Sequence, residues 1–194
     1  MGRDDGSAAG EYAAILYREA RFELLSSGTF WFADTPDLPG SVDWGANLPR
    51  ICTWGRLFDR EADRAFYIYN VHLDHRSQES RERSVQLLAE RIAARAHPDP
   101  VIVTGDFNAG EGNSAMRFLA GDAGPGLRDS FRVVHPDAVE VGTFNAFRGE
   151  STGPKIDYVL VDESWRVESA GIVRTQMGGS YPSDHYPVVA TLRY

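Results

Sequence analysis

The 194-residue sequence predicts a mixed α/β (α+β) domain, and three observations carry that expectation. Short apolar runs bounded by Gly, Pro, Asn or Asp recur along most of the chain, as strands do. Among them lies one long segment whose apolar residues fall at helical spacing. No internal repeat is present, so strands and helices are expected to pack into one layered unit rather than an array. The length fits a single domain spanning 1–194 with room for a buried core.

Taken in order, Met1 to Gly10 is polar and glycine-rich and reads as a loop or frayed terminus. The run Tyr12–Tyr17 (YAAILY) reads as a buried strand, and Phe22–Leu25 and Gly28–Phe32 continue the β pattern. Asp34–Pro49 holds three prolines and two glycines and reads as a loop bordering a cleft. Ile51–Phe58 and Phe66–Leu73 are strands joined by a charged turn. Ser77 is a good N-cap for a helix reaching about Ala96, with Val85, Leu88, Ile92 and Ala96 on one face. Pro98 and Pro100 stop it, and Val101–Val103 forms a short buried strand. Shorter helices are expected at Ser114–Leu119 and Leu127–Val134. Ile156–Val161, Trp165–Arg174 and Pro187–Leu192 supply the closing strands.

Charge and composition narrow the function. A net charge of −8 argues against a broad grip on nucleic acid, which needs a basic face. It does not argue against phosphate substrates, because a bound divalent cation inverts the sign of an acidic cleft. The single cysteine, Cys52, sits in an apolar run and reads as a buried, inert thiol. With no leader-like segment and no long apolar stretch, the expectation is a cytoplasmic protein. Nucleotide-binding glycine fingerprints, a phosphate-loop lysine and a nucleophile-elbow serine are all missing from the sequence.

What remains is a set of polar residues placed where apolar runs stop. Asp106 and Asn108 follow Val101-Ile102-Val103 in Gly105-Asp106-Phe107-Asn108. A turn rich in Asx residues explains that tetrapeptide as well as a site does. As a site, Asp106 would orient or deprotonate a water, while Asn108 offers a donor to a phosphoryl oxygen and a carbonyl to a metal. Asp184-His185 either caps a turn or supplies a metal-binding carboxylate and an imidazole that titrates near neutral pH. Asp157 opens an apolar strand and needs a partner, for which His185 is the economical choice. His72 ends its strand as either a core histidine or a ligand, whereas His75, His97 and His135 read as surface residues. Phe144, Phe147 and Tyr181 fit a pocket wall or ordinary packing. Arg50 and Arg148 are candidates for a substrate phosphate, with ordinary surface arginines the simpler account.

The ordered strings NVHLDH, GDFN, TFNAF, KIDYVLV and SDHYPVVATL resemble the endonuclease/exonuclease/phosphatase superfamily. Residues 11–60 resemble its bacterial branch in GEYAAILYR, RFELLSSGTFWF and LPRICTWGRL. The resemblance implies a two-sheet β-sandwich with helices on the outer faces, and Mg²⁺-dependent hydrolysis of phosphoesters, Mn²⁺ being an alternative ion. It implies that Asp106 positions the attacking water, that His72 and Asn108 contact the phosphoryl group, and that Asp157 orients His185. Asp184, with Asp106 and Asn108, is the implied metal-binding set. The family's Asn-bearing first strand and its Gln-Glu motif, whose Glu is the principal metal ligand, have no counterpart in residues 1–20. The expectation is therefore a chain that begins inside the family's domain, with a sheet edge left open to self-association. The implied substrates are phosphodiesters, phosphomonoesters, lipid head groups or nucleic acid. A non-catalytic phosphate- or partner-binding protein is the alternative reading.

Overall fold

The computed structural model describes residues 1–121 and 123–194. Its centre is a six-stranded sheet in the order β1-β2-β3-β4-β6-β5. Strands β1 (Phe22–Trp31), β2 (Ile51–Asp59) and β3 (Arg64–His72) form an antiparallel meander. Helix α1 (Gln78–Ala93) then carries the chain across, so β4 (Val101–Asp106) returns parallel to β3. After α2 (Ser114–Ala120) come the two-residue β5 (Arg128–Asp129) and α3 (Ser130–Val134). Strand β6 (Asp157–Val161) runs antiparallel between β4 and β5. A second, two-stranded sheet pairs β7 (Arg166–Ile172) with β8 (Val188–Arg193). The mixed α/β class is thus what the structure shows, in one large sheet and one small.

Alternation along the strands gives the large sheet two different faces. Tyr67, Tyr69, Val71, Val101, Val103, Tyr158 and Leu160 point to the helix side and pack with Val85, Leu88 and Ile92 of α1. The intervening residues Phe66, Ile102 and Val161, with Leu57 and Trp165, point to the other side, where Val167 and Leu192 of the small sheet meet them. Helix α1 starts where Ser77 accepts the Ser80 N–H at 3.1 Å, and Ser77 Oγ also donates to Trp44 O at 2.7 Å. That second bond ties the long Asp34–Pro49 loop to the start of the helix.

Four expectations change. Residues 12–17 form no strand: apart from Ala13 they are partly or fully exposed, and a side-chain bond from Asn70 Nδ2 to Ala14 O at 2.9 Å anchors them. Residues 1–10 are not frayed, because Trp31 Nε1 donates to Arg3 O at 2.6 Å and Gly2 N donates to Ser7 O at 2.9 Å. The two early β runs fuse into one strand, β1, with a register shift between Leu24 and Ser26. The third helix is shorter than its periodicity suggests, because the Asp129 side chain caps it by accepting the Phe131 N–H at 3.0 Å. Among the described residues, no helix is long and apolar enough to cross a membrane.

Candidate active site

The register of the large sheet builds the site. His72 pairs with Asp106 across β3 and β4, and Asp106 pairs with Asp157 across β4 and β6. Three polar residues from distant parts of the chain therefore stand side by side in one row, on the face toward the small sheet. The main chain at Gly105 makes this row reachable. Its φ is +133°, and a Cβ there would lie 1.9 Å from Val71 O. No L side chain fits, so the glycine before Asp106 is a steric requirement.

His185 reaches the row from the loop before β8. Its Nδ1–H donates to Asp157 Oδ2 at 2.8 Å, which leaves Nε2 as the free ring nitrogen. The segment 143–147 holds the two together. Thr143 Oγ1 accepts the N–H groups of Ile156 and Asp157 at 3.0 and 3.2 Å, and Thr143 O accepts the Tyr186 N–H at 2.7 Å. Buried Asn145 donates its N–H to Asp184 O at 2.7 Å and its Nδ2 to Ser183 O at 3.2 Å. Phe144 packs edge-on to the His185 ring at 5.2 Å.

Asn108 occupies the left-handed region at φ +48°. Its N–H donates to Asp106 Oδ1 at 2.8 Å, and its Nδ2 donates to Leu73 O at 2.9 Å. The carboxamide oxygen is left free, a donor type that suits a hard cation. His72 lies with Nε2 3.5 Å from Asp106 Oδ2 and Nδ1 3.3 Å from Glu11 Oε2.

These residues line an open cleft of about 880 Å³ that also takes in Asp184, Phe144, Arg3, Glu11, Arg50 and His75. Burial, reinforced by the Asp157 charge, pushes the Asp106 carboxyl up to about 6. Burial, with Arg50 and Arg3 nearby, pulls His72 down to about 4. The bond to Asp157 raises His185 above the ordinary imidazole range, against the opposing effect of burial.

Ligand atoms of Asp106, Asp157 and His185 lie within 4.8 Å of one another, a cluster able to hold a metal ion. Two carboxylates and an imidazole set this close together offer a divalent cation both charge and ligand atoms, so the donor set fits one. Asp184 lines the same cleft but is not in that cluster; its Oδ1 accepts from Ser183 Oγ at 3.4 Å and its main-chain oxygen is used by segment 143–147. The structure brings His72, Asp106, Asn108, Asp157 and His185 to one cleft, together with Arg50, for which a surface position was the simpler expectation, and with Arg3 and Glu11, which the sequence reading missed. Arg50 is 3% exposed and paired with Asp74, not a surface arginine, whereas Arg148 is on the surface. Arg3 is buried with its Nη1 2.5 Å from Glu11. Glu11 brings to the cleft a carboxylate not expected from residues 1–20. Phe147 is exposed, and Tyr181 packs on Tyr186 away from the cleft. His97 is exposed, as expected; His135, also exposed, bonds Ala170 O at 2.9 Å.

Residues 9–185 match the model of the Endonuclease/Exonuclease/phosphatase family. The chain belongs to this family. Solved family structures agree with the fold throughout. A mannosyl-6-phosphatase from Bacteroides thetaiotaomicron is 34% identical, with a TM-score of 0.87 over 100% of this chain and 75% of that one. An endonuclease/exonuclease/phosphatase from Bacteroides vulgatus is 33% identical, with a TM-score of 0.89 over 99% of this chain and 74% of that one. An uncharacterized protein of Acanthamoeba polyphaga mimivirus is 38% identical over 98 residues, 48% of this chain. The chain spans 36% of the length of that curated relative. Members of this family are phosphoester hydrolases and generally use divalent metals.

Proposed function

We propose that this chain hydrolyses phosphoesters at the His72–Asp106–Asp157–His185 cleft with the help of a divalent cation, Mg²⁺ first and Mn²⁺ second. The observation that carries the reading is the single register row of His72, Asp106 and Asp157, completed by the 2.8 Å bond from His185 to Asp157. Phosphoryl transfer needs in-line positioning and neutralisation of developing charge more than covalent chemistry, and a row of rigid strand ends supplies positioning.

Asp106 is the base. A carboxyl raised to about 6 is ionised at neutral pH yet basic enough to take a proton from water. His185, held in one tautomer by Asp157 and raised above its ordinary range, presents Nε2 to the phosphoryl oxygens and stabilises the charge gathering there. His72 and Asn108 hold the phosphoryl group in place, His72 as a neutral imidazole at neutral pH. The free oxygen of Asn108 and the Asp184 carboxylate, both on the same cleft as Asp106, would hold the cation, which supplies charge neutralisation at the phosphate when bound. The substrate is a small phosphoester rather than long duplex nucleic acid, in keeping with the net charge of −8. The 34% identity to a mannosyl-6-phosphatase makes sugar phosphates the first class to assay. The exposed outer strand β1 is the edge through which two copies would associate.

The deciding experiment measures Mg²⁺-dependent hydrolysis of aryl phosphoesters by the purified chain beside its His185→Ala variant. A loss of about 10²–10⁴-fold in the variant is the expected result. Equal rates for the two folded proteins would overturn the assignment and favour a phosphate-binding role without catalysis.

A further inference from the structure

Beside the cleft lies a buried cluster of charges that the catalytic reading leaves unused. The Lys155 side chain is fully buried. Its ammonium is 2.5 Å from Asp129 Oδ2 and 3.5 Å from Glu111 Oε1, and it lies 3.4 Å from the centre of the Tyr158 ring. Arg132 grips Glu111 in turn, with bonds of 2.6 and 2.8 Å. Two cations thus face two carboxylates, and the cluster is neutral as a whole. Burial nevertheless pulls the ammonium below its ordinary range, against the effect of both carboxylates. A buried ion pair is a weak source of stability, because desolvation cancels much of the attraction; its best-attested use is to fix one arrangement.

The two segments that build the site meet at this cluster. The Tyr158 hydroxyl shares its single hydrogen between Lys155 O at 2.8 Å and Ala109 O at 2.9 Å, and the ring packs edge-on to Phe107. Phe107 and Ala109 flank Asn108, Glu111 follows in the same loop, and Lys155 stands just before Ile156 and Asp157. A main-chain bond from the Phe107 N–H to Ile156 O at 2.8 Å runs alongside.

We propose that Lys155 and Tyr158 are positioning residues, whose ammonium and hydroxyl clamp the 107–111 loop to the start of β6 and so fix Asn108 relative to Asp157. This deepens, and rests on, the hydrolase reading of the same cleft. Neither side chain is among those lining the large cleft, so both act through the residues they hold. Asn108 offers its oxygen to a cation and Asp157 orients His185, and each does so only within a fraction of an ångström of the productive geometry. A loop freed at Ala109 and Glu111 keeps its fold but lets Asn108 drift, which costs metal affinity and rate together.

The test uses Tyr158→Phe, which removes the hydroxyl and keeps the ring beside the ammonium. A double variant, Lys155→Met with Asp129→Asn, deletes one charge of each sign, and Asn still caps α3. Leu57→Ala is the destabilised control, buried at the end of β2 away from the Ile51–His72 pair. Each chain is checked for folding by circular dichroism and thermal unfolding. Electron paramagnetic resonance reads Mn²⁺ affinity without substrate, and kcat and KM are measured for p-nitrophenyl phosphate with Mg²⁺. Mn²⁺ affinity and kcat should each fall about 10-fold in Tyr158→Phe and up to about 100-fold in the double variant, with KM changing far less. Leu57→Ala should lose thermal stability and keep both values. If the double variant does not fold, Tyr158→Phe decides alone. Wild-type Mn²⁺ affinity and kcat in the folded variants, or equal losses in Leu57→Ala, overturn the clamp even if the protein is an active hydrolase. A wild type that binds Mn²⁺ but hydrolyses no ester, with affinity lost in Tyr158→Phe, keeps the clamp and overturns the hydrolase reading.

Discussion

Asp157 is held from two sides: its Oδ2 accepts from His185 and its N–H donates to Thr143 Oγ1. Asp157→Asn should therefore leave the fold in place while releasing the His185 tautomer. Activity should fall by at least the order of magnitude expected when an orienting partner of a catalytic imidazole is lost, with the melting temperature moving little. Thr143→Ala is expected to weaken the same pair from behind, and Thr143→Ser, which keeps the acceptor oxygen, to restore it. Gly105→Ala is a harsher change. The new Cβ would collide with Val71 O at 1.9 Å, so β3 and β4 must separate and the protein should not accumulate in folded form, as near-UV circular dichroism would report. The sequence exposed Asp106, Asp157 and His185 because each stands at the border of an apolar run. It hid Arg50, because an arginine after a proline at a strand start is read as solvated, and only the tertiary partner Asp74 makes burial affordable.

Helix α1 was readable because its 16 residues carry several turns of apolar spacing behind a strong N-cap. That legibility has a measurable counterpart. Ser77→Ala removes both the cap to Ser80 and the tie to Trp44, and should cost about 1 kcal/mol or somewhat more in urea unfolding. Leu88→Ala, at a fully buried position facing the large sheet, should cost about 2–5 kcal/mol. Tyr12–Tyr17 was misread for the opposite reason. Six residues of strand composition say nothing about whether a partner strand stands beside them, and ladder hydrogen bonds are supplied by parts of the chain far away. Its contact here is a side-chain bond from Asn70. The early loop was misread likewise: nothing local reveals that Trp31 reaches 28 residues back to Arg3.

Across the molecule, acid should act through a few buried or half-buried carboxylates. Asp59 is held below the usual carboxylate range by Arg21, and Glu111 by Arg132. Asp74 is depressed too: burial pushes it up, but the Ser77 and Arg76 N–H groups and Arg50 outweigh that. A carboxyl depressed on folding contributes stability that is present above its unfolded value, about 4, and lost as pH falls through the folded value. Urea midpoints should thus drop as pH goes from about 5 toward 3, and Asp59→Asn should flatten that slope. Sedimentation at increasing concentration tests association through β1, where a dimer is the expected species and Leu24→Lys, on that strand, the variant that should weaken it. The row formed by His72, Asp106 and Asp157 has one more consequence. Side chains alternate faces along a strand, so a slip of β4 by a single residue would turn Asp106 toward α1 and bring Gly105 or Phe107 into its place. Turnover per molecule then acts as a gauge of strand alignment: in a refolding experiment, recovered activity should count correctly threaded chains, while far-UV dichroism counts the mis-threaded ones as well.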